Sequence, residues 1–283
     1  LAPKILKIFF GTWIRLFQQP DQSACQPPSK IGGWQKKLMA EGKMNCLTDL
    51  FTFEIDPRLA PLGIQGCFLV MDGLQNRDTD LVFEEIKAQS LQAILAENSW
   101  EGVRNDPALQ GFRELHTQAG FSDCNYPAAP EVLFDAVLRS RRLTHINLLV
   151  DICNLVSLET KLMLGAHDLD QVCGNIHLGP MTGAEKYIPQ GGFEEQAMLP
   201  GGYAYIDEAN DILCLLDSRQ AEKSRVRLQT TRSFYVLQGH RNTPAYVVER
   251  AAERLIDLTT RFCGGDLVYS RSFFADLYKN RGC

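Results

Sequence analysis

The stretch LMLGAHDLDQVCG (162–174) places one imidazole and two carboxylates, His167, Asp168 and Asp170, within four consecutive positions of an apolar run. Charged groups this close to a core need partners. An imidazole titrates near neutrality, so His167 is suited to orient a water molecule or accept its proton. The plainer alternative is a core histidine bonded to a backbone carbonyl. Asp168 and Asp170, in a glycine-bounded turn, fit best as acceptors of backbone N–H groups. A metal would need more ligands than these three supply, and no metal site is assigned. Upstream, Asp151 and Asn154 are three apart and share one helical face. The Asn154 amide offers both a donor and an acceptor, so it suits a substrate pocket or a tie between helix and loop.

These side chains need elements to hold them. FTFEI (51–55) alternates like a half-buried strand, and GIQGCFLVMDGL (63–74) reads as a more buried one. Asp78 or Thr79 is placed to cap a helix through LVFEEIKAQSLQAILAEN. Further helices are expected around ALQGFRELHTQAG, closed by Gly120, and over PEVLFDAVLRSRR (130–142). INLLVDICNLVSLETKLML (146–164) is apolar nearly all round and reads as a buried helix leading into a GAHDLDQ turn. YAYIDEANDILCLLD (203–217) reads as a hairpin about Glu208–Asn210, SFYVLQG (233–239) as a strand, and PAYVVERAAERLIDLTTRFCGG (244–265) as an amphipathic helix stopped by glycine. The order is α/β, then antiparallel β, then a closing helix.

Composition narrows the function classes. The 283 residues are 45% hydrophobic and 22% charged, as in an ordinary globular protein with a substantial core. Nine cysteines, scattered and without a Cys-x-x-Cys pair, argue for neutral thiols in a reducing cytoplasm rather than a disulfide framework or structural zinc. A net charge of -5 argues against a broad polyanion-binding surface but leaves room for a local basic strip. LAPKILKIFFGTWIRLF at the start is too short and too charged to span a bilayer. Residues 1–43, before Met44, are read as a leader rather than working protein.

Several blocks together resemble the B3/B4 domain, the tRNA-editing domain in the β chain of phenylalanyl-tRNA synthetase, which also occurs as stand-alone proteins. They are INLLVDICNLVSLETKLMLGAHDLDQVCG (146–174), YIPQGG (187–192), PGGYAYID (200–207), CLLDSRQ (214–220) and RLQTTRSFYVLQG (227–239). The division expected is a 1–46 extension, an N-terminal α/β portion at 47–129, a B3/B4-like core at 130–265 and a tail at 266–283. The resemblance implies an α/β (α+β) fold in three β/β/α layers. It also implies hydrolysis of the ester joining a wrong amino acid to the 3′ end of a tRNA, in the cytoplasm, without a cofactor.

Residue by residue, the resemblance implies catalytic roles for His167 and Asn154. It implies a substrate pocket of Cys153, Gly165, Ala166, Thr231 and Gln238. Ala166, Asp168, Leu169 and Asp170 match the family's Ala-x-Asp-Leu-Asp run. The synthetase form has His where this chain has Gly165 and a pocket Glu where it has Gln238; the Gly-Ala-His order resembles the stand-alone branch. Arg219, Lys223 and Arg225, within and beside the basic strip KSRVR (223–227), are the implied tRNA-binding residues; a second strip is RSRR (139–142). Tyr203, Tyr205 and Phe193 are candidates to stack a terminal base. An apolar pocket rejects an added hydroxyl by only about a hundredfold, so an editor needs a buried polar partner such as Asn154, His167, Gln238 or Thr231. The implied partners are the acceptor end of misacylated tRNA and a synthetase, without DNA or membrane. The rival readings are a non-catalytic tRNA- or synthetase-binding module and a hydrolase of a small ester or amide.

Overall fold

The computed structural model describes residues 52–121 and 126–273. Its helices are α1 (Leu81–Glu97), α2 (Trp100–Asn105), α3 (Pro107–Gln118), α4 (Ala129–Ser140), α5 (Leu148–Thr160) and α6 (Ala245–Cys263). Its strands are β1 (Phe53–Ile55), β2 (Gln65–Leu74), β3 (Met163–Asp168), β4 (Ile176–Pro180), β5 (Tyr203–Asp207), β6 (Ile212–Leu215), β7 (Arg219–Gln220), β8 (Arg232–Gly239) and β9 (Gly264–Phe273). Residues 1–43, expected to be a leader, and the end of the tail lie outside the described residues.

Two sheets form. One has the order β3-β8-β2-β9 and is antiparallel throughout; the other has the order β1-β4-β5-β6-β7, with β1 and β4 parallel. Strand alternation divides the first sheet between two cores. Cys67, Leu69 and Met71 of β2, Leu164 and Ala166 of β3, and Tyr235 and Leu237 of β8 face the helices. Phe68, Val70, Met163, Phe234 and Val236 face the second sheet. The fold is therefore three-layered, helix on sheet on sheet, in the α/β class. Each fully buried Phe or Leu contributes roughly 1.5–3 kcal/mol through lost apolar exposure.

Local chemistry sets the boundaries. Asp80, rather than Asp78 or Thr79, caps α1, accepting from the Val82 and Phe83 amides at 3.0 and 3.1 Å. Asn147 caps α5 through the Val150 amide, and α5 stops where Lys161 turns left-handed at φ 59°. The apolar run 146–164 is thus not one helix. After Lys161 the chain reverses and Met163–Asp168 pairs with β8, so GAHD is strand, and the turn falls at the 3-10 segment Leu169–Gln171. A fully apolar run carries no period to separate buried helix from buried strand. Asp168 behaves as a turn-holder, with Oδ1 accepting from the Asp170 amide and Oδ2 from Thr230 Oγ1.

The N-terminal portion does not form a separate body. β2 lies between β8 and β9 at the centre of its sheet, and β1 completes the edge of the other. Residues 264–273 of the chain's closing segment are β9, paired along β2. Among the described residues no helix is long and apolar enough to cross a membrane.

Candidate functional site

His167 projects from β3 into the layer between the sheets and is fully buried. Its ring is the last in a file of four. Phe53 of β1 stacks on Phe68 of β2 (4.4 Å), Phe68 on Phe234 of β8 (5.1 Å), and Phe234 on His167 (4.4 Å, planes 8° apart). Desolvation in this setting drives the imidazole pKa down to about 3, so it is neutral at physiological pH. Nδ1 is 2.8 Å from Ser224 Oγ and 3.3 Å from Gln220 Nε2, while Gln220 also donates to the Ala166 carbonyl at 2.7 Å. Nε2 has no partner among the described residues. In the tautomer where Ser224 Oγ or the Gln220 amide donates to Nδ1, the ring proton sits on Nε2 and makes it a buried donor awaiting an acceptor.

That donor faces Gly165. A Cβ built at Gly165 would lie 3.0 Å from Nε2, and Gly165 itself is only half-buried. The glycine lets the β3 backbone close on the imidazole, leaving a niche too tight for even a methyl group unless the ring moves.

Gln238, four strand positions from Phe234 on the same face, belongs to a second buried group. Its Oε1 accepts from Tyr205 OH (2.5 Å), and its Nε2 reaches Tyr203 OH (2.9 Å) and Asp217 Oδ2 (3.3 Å). Tyr203 OH donates to Asp217 Oδ2 at 2.9 Å, and His116 Nε2 lies 2.6 Å from Asp217 Oδ1. Burial is the largest single influence on His116 and opposes its charge, but the hydrogen bond and charge of Asp217, with the Tyr126 carbonyl and Glu131, together outweigh it and raise the pKa. Tyr203 and Tyr205 are fully buried here, so neither offers a ring to a surface base; Phe193, almost wholly exposed, does.

The other sequence-implied residues are dispersed. Cys153 is packed in the helix-side core, which lies across the sheet from His167, and burial pushes its thiol up to about 12. Its neighbour Asn154 is half-buried on the same helix, α5. Ala166 faces the helices, opposite to Gly165 and His167. Thr231 is exposed at the entry to β8, where its carbonyl accepts from the Leu74 amide. The structure therefore brings Gly165, His167 and Gln238 to one inter-sheet face and leaves Cys153 and Ala166 on the other.

Among the basic residues, Lys223 Nζ lies 2.6 Å from Asp207 and 2.5 Å from Asp211, so its charge is already balanced. Arg225 pairs with Glu222 at 3.3 Å. Arg219 is exposed, its guanidinium 4.8 Å from the Tyr126 ring centroid. Glu84, His145 and Asp151 bring three ligand-type atoms together, but Lys87 Nζ already pairs with two of them, at 2.6 Å from Glu84 and 2.9 Å from Asp151.

Sequence reasoning missed Ser224, Gln220 and Phe234 around the imidazole, and the His116–Asp217 pair. Ser224 lies inside a basic strip, Phe234 reaches the imidazole through β3–β8 pairing, Gln220 reaches it from the other sheet, and His116–Asp217 joins a helix to a distant loop.

No curated protein matches the chain. Among solved structures, an N-terminal fragment of the phenylalanyl-tRNA synthetase beta-subunit from Pyrococcus horikoshii is similar at 14% identity and a TM-score of 0.42, over 78% of this chain and 54% of that one. The chain thus spans about half the length of that fragment. The model of the B3/4 domain matches residues 119–264, which contain α4 to α6 and β3 to β8, and the chain belongs to the B3/4 domain family.

Proposed function

We propose that this chain has a tRNA-related role, binding the aminoacylated 3′ end of tRNA and hydrolysing the ester of a misattached amino acid. The observation that supports it is the unpartnered Nε2 of His167 facing the Gly165 niche. A buried donor without an acceptor costs about 1–3 kcal/mol, which a ligand oxygen at that position recovers. Aminoacyl esters are already activated, so the work is positioning and stabilising charge on the carbonyl oxygen as water adds. A neutral imidazole held by Ser224 and Gln220, and aimed across the niche, is a fixed donor for that oxygen. With its pKa near 3, His167 acts in this reading as donor rather than as general base.

One observation favours a second reading. His167 is fully buried, so the niche admits an ester only if the β3 rim yields around Gly165. Without that movement the chain binds tRNA, or a synthetase, and does not turn it over. A panel of misacylated tRNAs incubated with purified protein separates the two. At least one ester is expected to be released, with at least tenfold loss in Gly165→Ala and in His167→Phe. Release from no member of the panel, or unchanged rates in both variants, overturns the hydrolytic reading.

A further inference from the structure

A groove of about 480 Å³ runs between α1 and the segment that joins α4 to α5, in the helix layer across the sheet from His167. One wall is a single face of α1, where Glu84, Lys87, Ala88, Leu91 and Leu95 recur at helical spacing. The other wall carries Arg141, Arg142, Leu143 and His145. The two walls are joined by Asp151, whose Oδ2 accepts from Lys87 Nζ at 2.9 Å and lies 2.8 Å from His145 Nδ1. His145 Nε2 also lies 3.2 Å from Asp78 Oδ1, just ahead of α1. At that end stand two exposed apolar side chains, Leu81 and Ile146, 82% and 47% accessible. From Leu81 to Leu95 the α1 face runs about 20 Å, at ~1.5 Å per residue.

The free charge of the groove has one sign. Its acidic groups are already engaged, Glu84 and Asp151 by Lys87 and Asp78 by His145. Arg141 and Arg142 are exposed, and their guanidiniums have no partner among the described residues. Arg139, the first arginine of the same strip, is by contrast paired with Asp135 at 2.9 Å. Two unpaired cations beside an apolar trough suit an amphipathic helix with leucine-type side chains on one face and carboxylates along its edge. The chain's own ends, beyond the described residues, have the wrong sign. Residues 1–51 hold seven Lys or Arg against three Asp or Glu, and residues 274–283 two against one. RNA phosphates would meet the arginines but leave the leucines bare.

We infer that the α1 groove docks an acidic amphipathic helix of another protein, with its apolar face on Leu91, Leu95 and Leu143 and its carboxylates on Arg141 and Arg142. The surface is separate from the His167 niche, so the inference does not depend on ester hydrolysis. The test uses the full chain and two fluorescein-labelled peptides of about 15 residues. Both carry leucine at every third or fourth position, one with glutamate and the other with lysine elsewhere. By fluorescence anisotropy the glutamate peptide is expected to bind at least about tenfold more tightly than the lysine peptide. Its affinity is expected to fall at least about threefold between roughly 0.05 and 0.3 M salt. The double variant Arg141→Glu with Arg142→Glu, and separately Ala88→Glu on the groove wall, are each expected to weaken it about tenfold. Melting temperatures confirm that the variants fold. No binding of the glutamate peptide, equal binding of the two peptides, or unchanged affinity in both variants overturns the inference. A dimer of the parent chain in sedimentation that Ala88→Glu abolishes overturns it also, since a second copy then covers the groove. Loss of deacylated tRNA binding in the arginine variant, with no peptide bound, assigns the arginines to RNA and overturns it likewise.

Discussion

His167 and Phe234 stack face to face across the β3–β8 pair, with centroids 4.4 Å apart and planes inclined by 8°. The contact makes an imidazole the terminal member of a phenylalanine file and removes its charge. It also fixes how the protein should respond to acid.

The folded-state pKa of His167, about 3, is below the ordinary value of ~6.5. The unfolded chain therefore binds more protons between these values. Its stabilising contribution is complete above pH ~6.5 and is lost as pH falls towards 3, at up to about 1.4 kcal/mol per pH unit. His167→Phe keeps the stack and removes the titration. Urea melts from pH 7 to pH 4 are expected to show a shallower loss of stability in this variant.

His116 has the opposite sign. Its pKa is raised in the folded state, so its contribution is present below pH ~6.5 and is lost as pH rises through the folded value. Asp217→Asn removes the acceptor charge. It is expected to lower stability at pH 6 and to flatten the decline between pH 6 and 9, as measured by chemical denaturation.

Gly165→Ala tests the niche with little change to the core. Its Cβ would press on His167 Nε2 at 3.0 Å, so a small loss of melting temperature is expected beside the larger loss of deacylation. A stability loss above about 3 kcal/mol would mean that the niche is ordinary core packing.

Gln238→Leu leaves the buried hydroxyls of Tyr203 and Tyr205 without the amide that joins them. Tyr203 keeps its bond to Asp217, so the expected loss is about 1–3 kcal/mol, for the acceptor taken from Tyr205. Gln238→Glu, which restores the residue type of the synthetase form, sets a carboxylate next to Asp217 Oδ2, 3.3 Å from the present Nε2. It is expected to destabilise more at pH 8 than at pH 5, as read by thermal melts.

Lys87→Met removes the cation among Glu84, Asp151 and His145. Asp151 is buried, so a loss on the order of 3–5 kcal/mol is expected, far more than for the exposed Arg139–Asp135 pair.

What the sequence disclosed follows from physical range. The strong amphipathic pattern of α6, its glycine stop and the β5–β6 hairpin are written in adjacent residues, and they stand close to where they were expected. SFYVLQG likewise located β8, whereas GAHD, read as a turn, is strand β3. The 146–164 run failed as a single helix because its apolar residues are continuous. Gly165 and Gln238 share a face only because β3 pairs with β8 in the register Met163 to Gln238 and His167 to Phe234. Asn154 and Cys153 adjoin these residues in the motif, yet the intervening turn puts Cys153 across the sheet. The His116–Asp217 pair joins a helix to a loop 101 positions away, and no local pattern marks it.

The central position of β2 has a consequence for synthesis. Its partners along both edges, β8 (Arg232–Gly239) and β9 (Gly264–Phe273), lie far downstream, so Phe68 and Val70 have no neighbour in that sheet until the ribosome has passed Gly239. Ten mostly apolar residues must wait until then with open backbone edges, a setting for slow, chaperone-assisted folding. A fragment cut to the 119–264 match would lack that strand altogether and leave β8 with one edge unsealed.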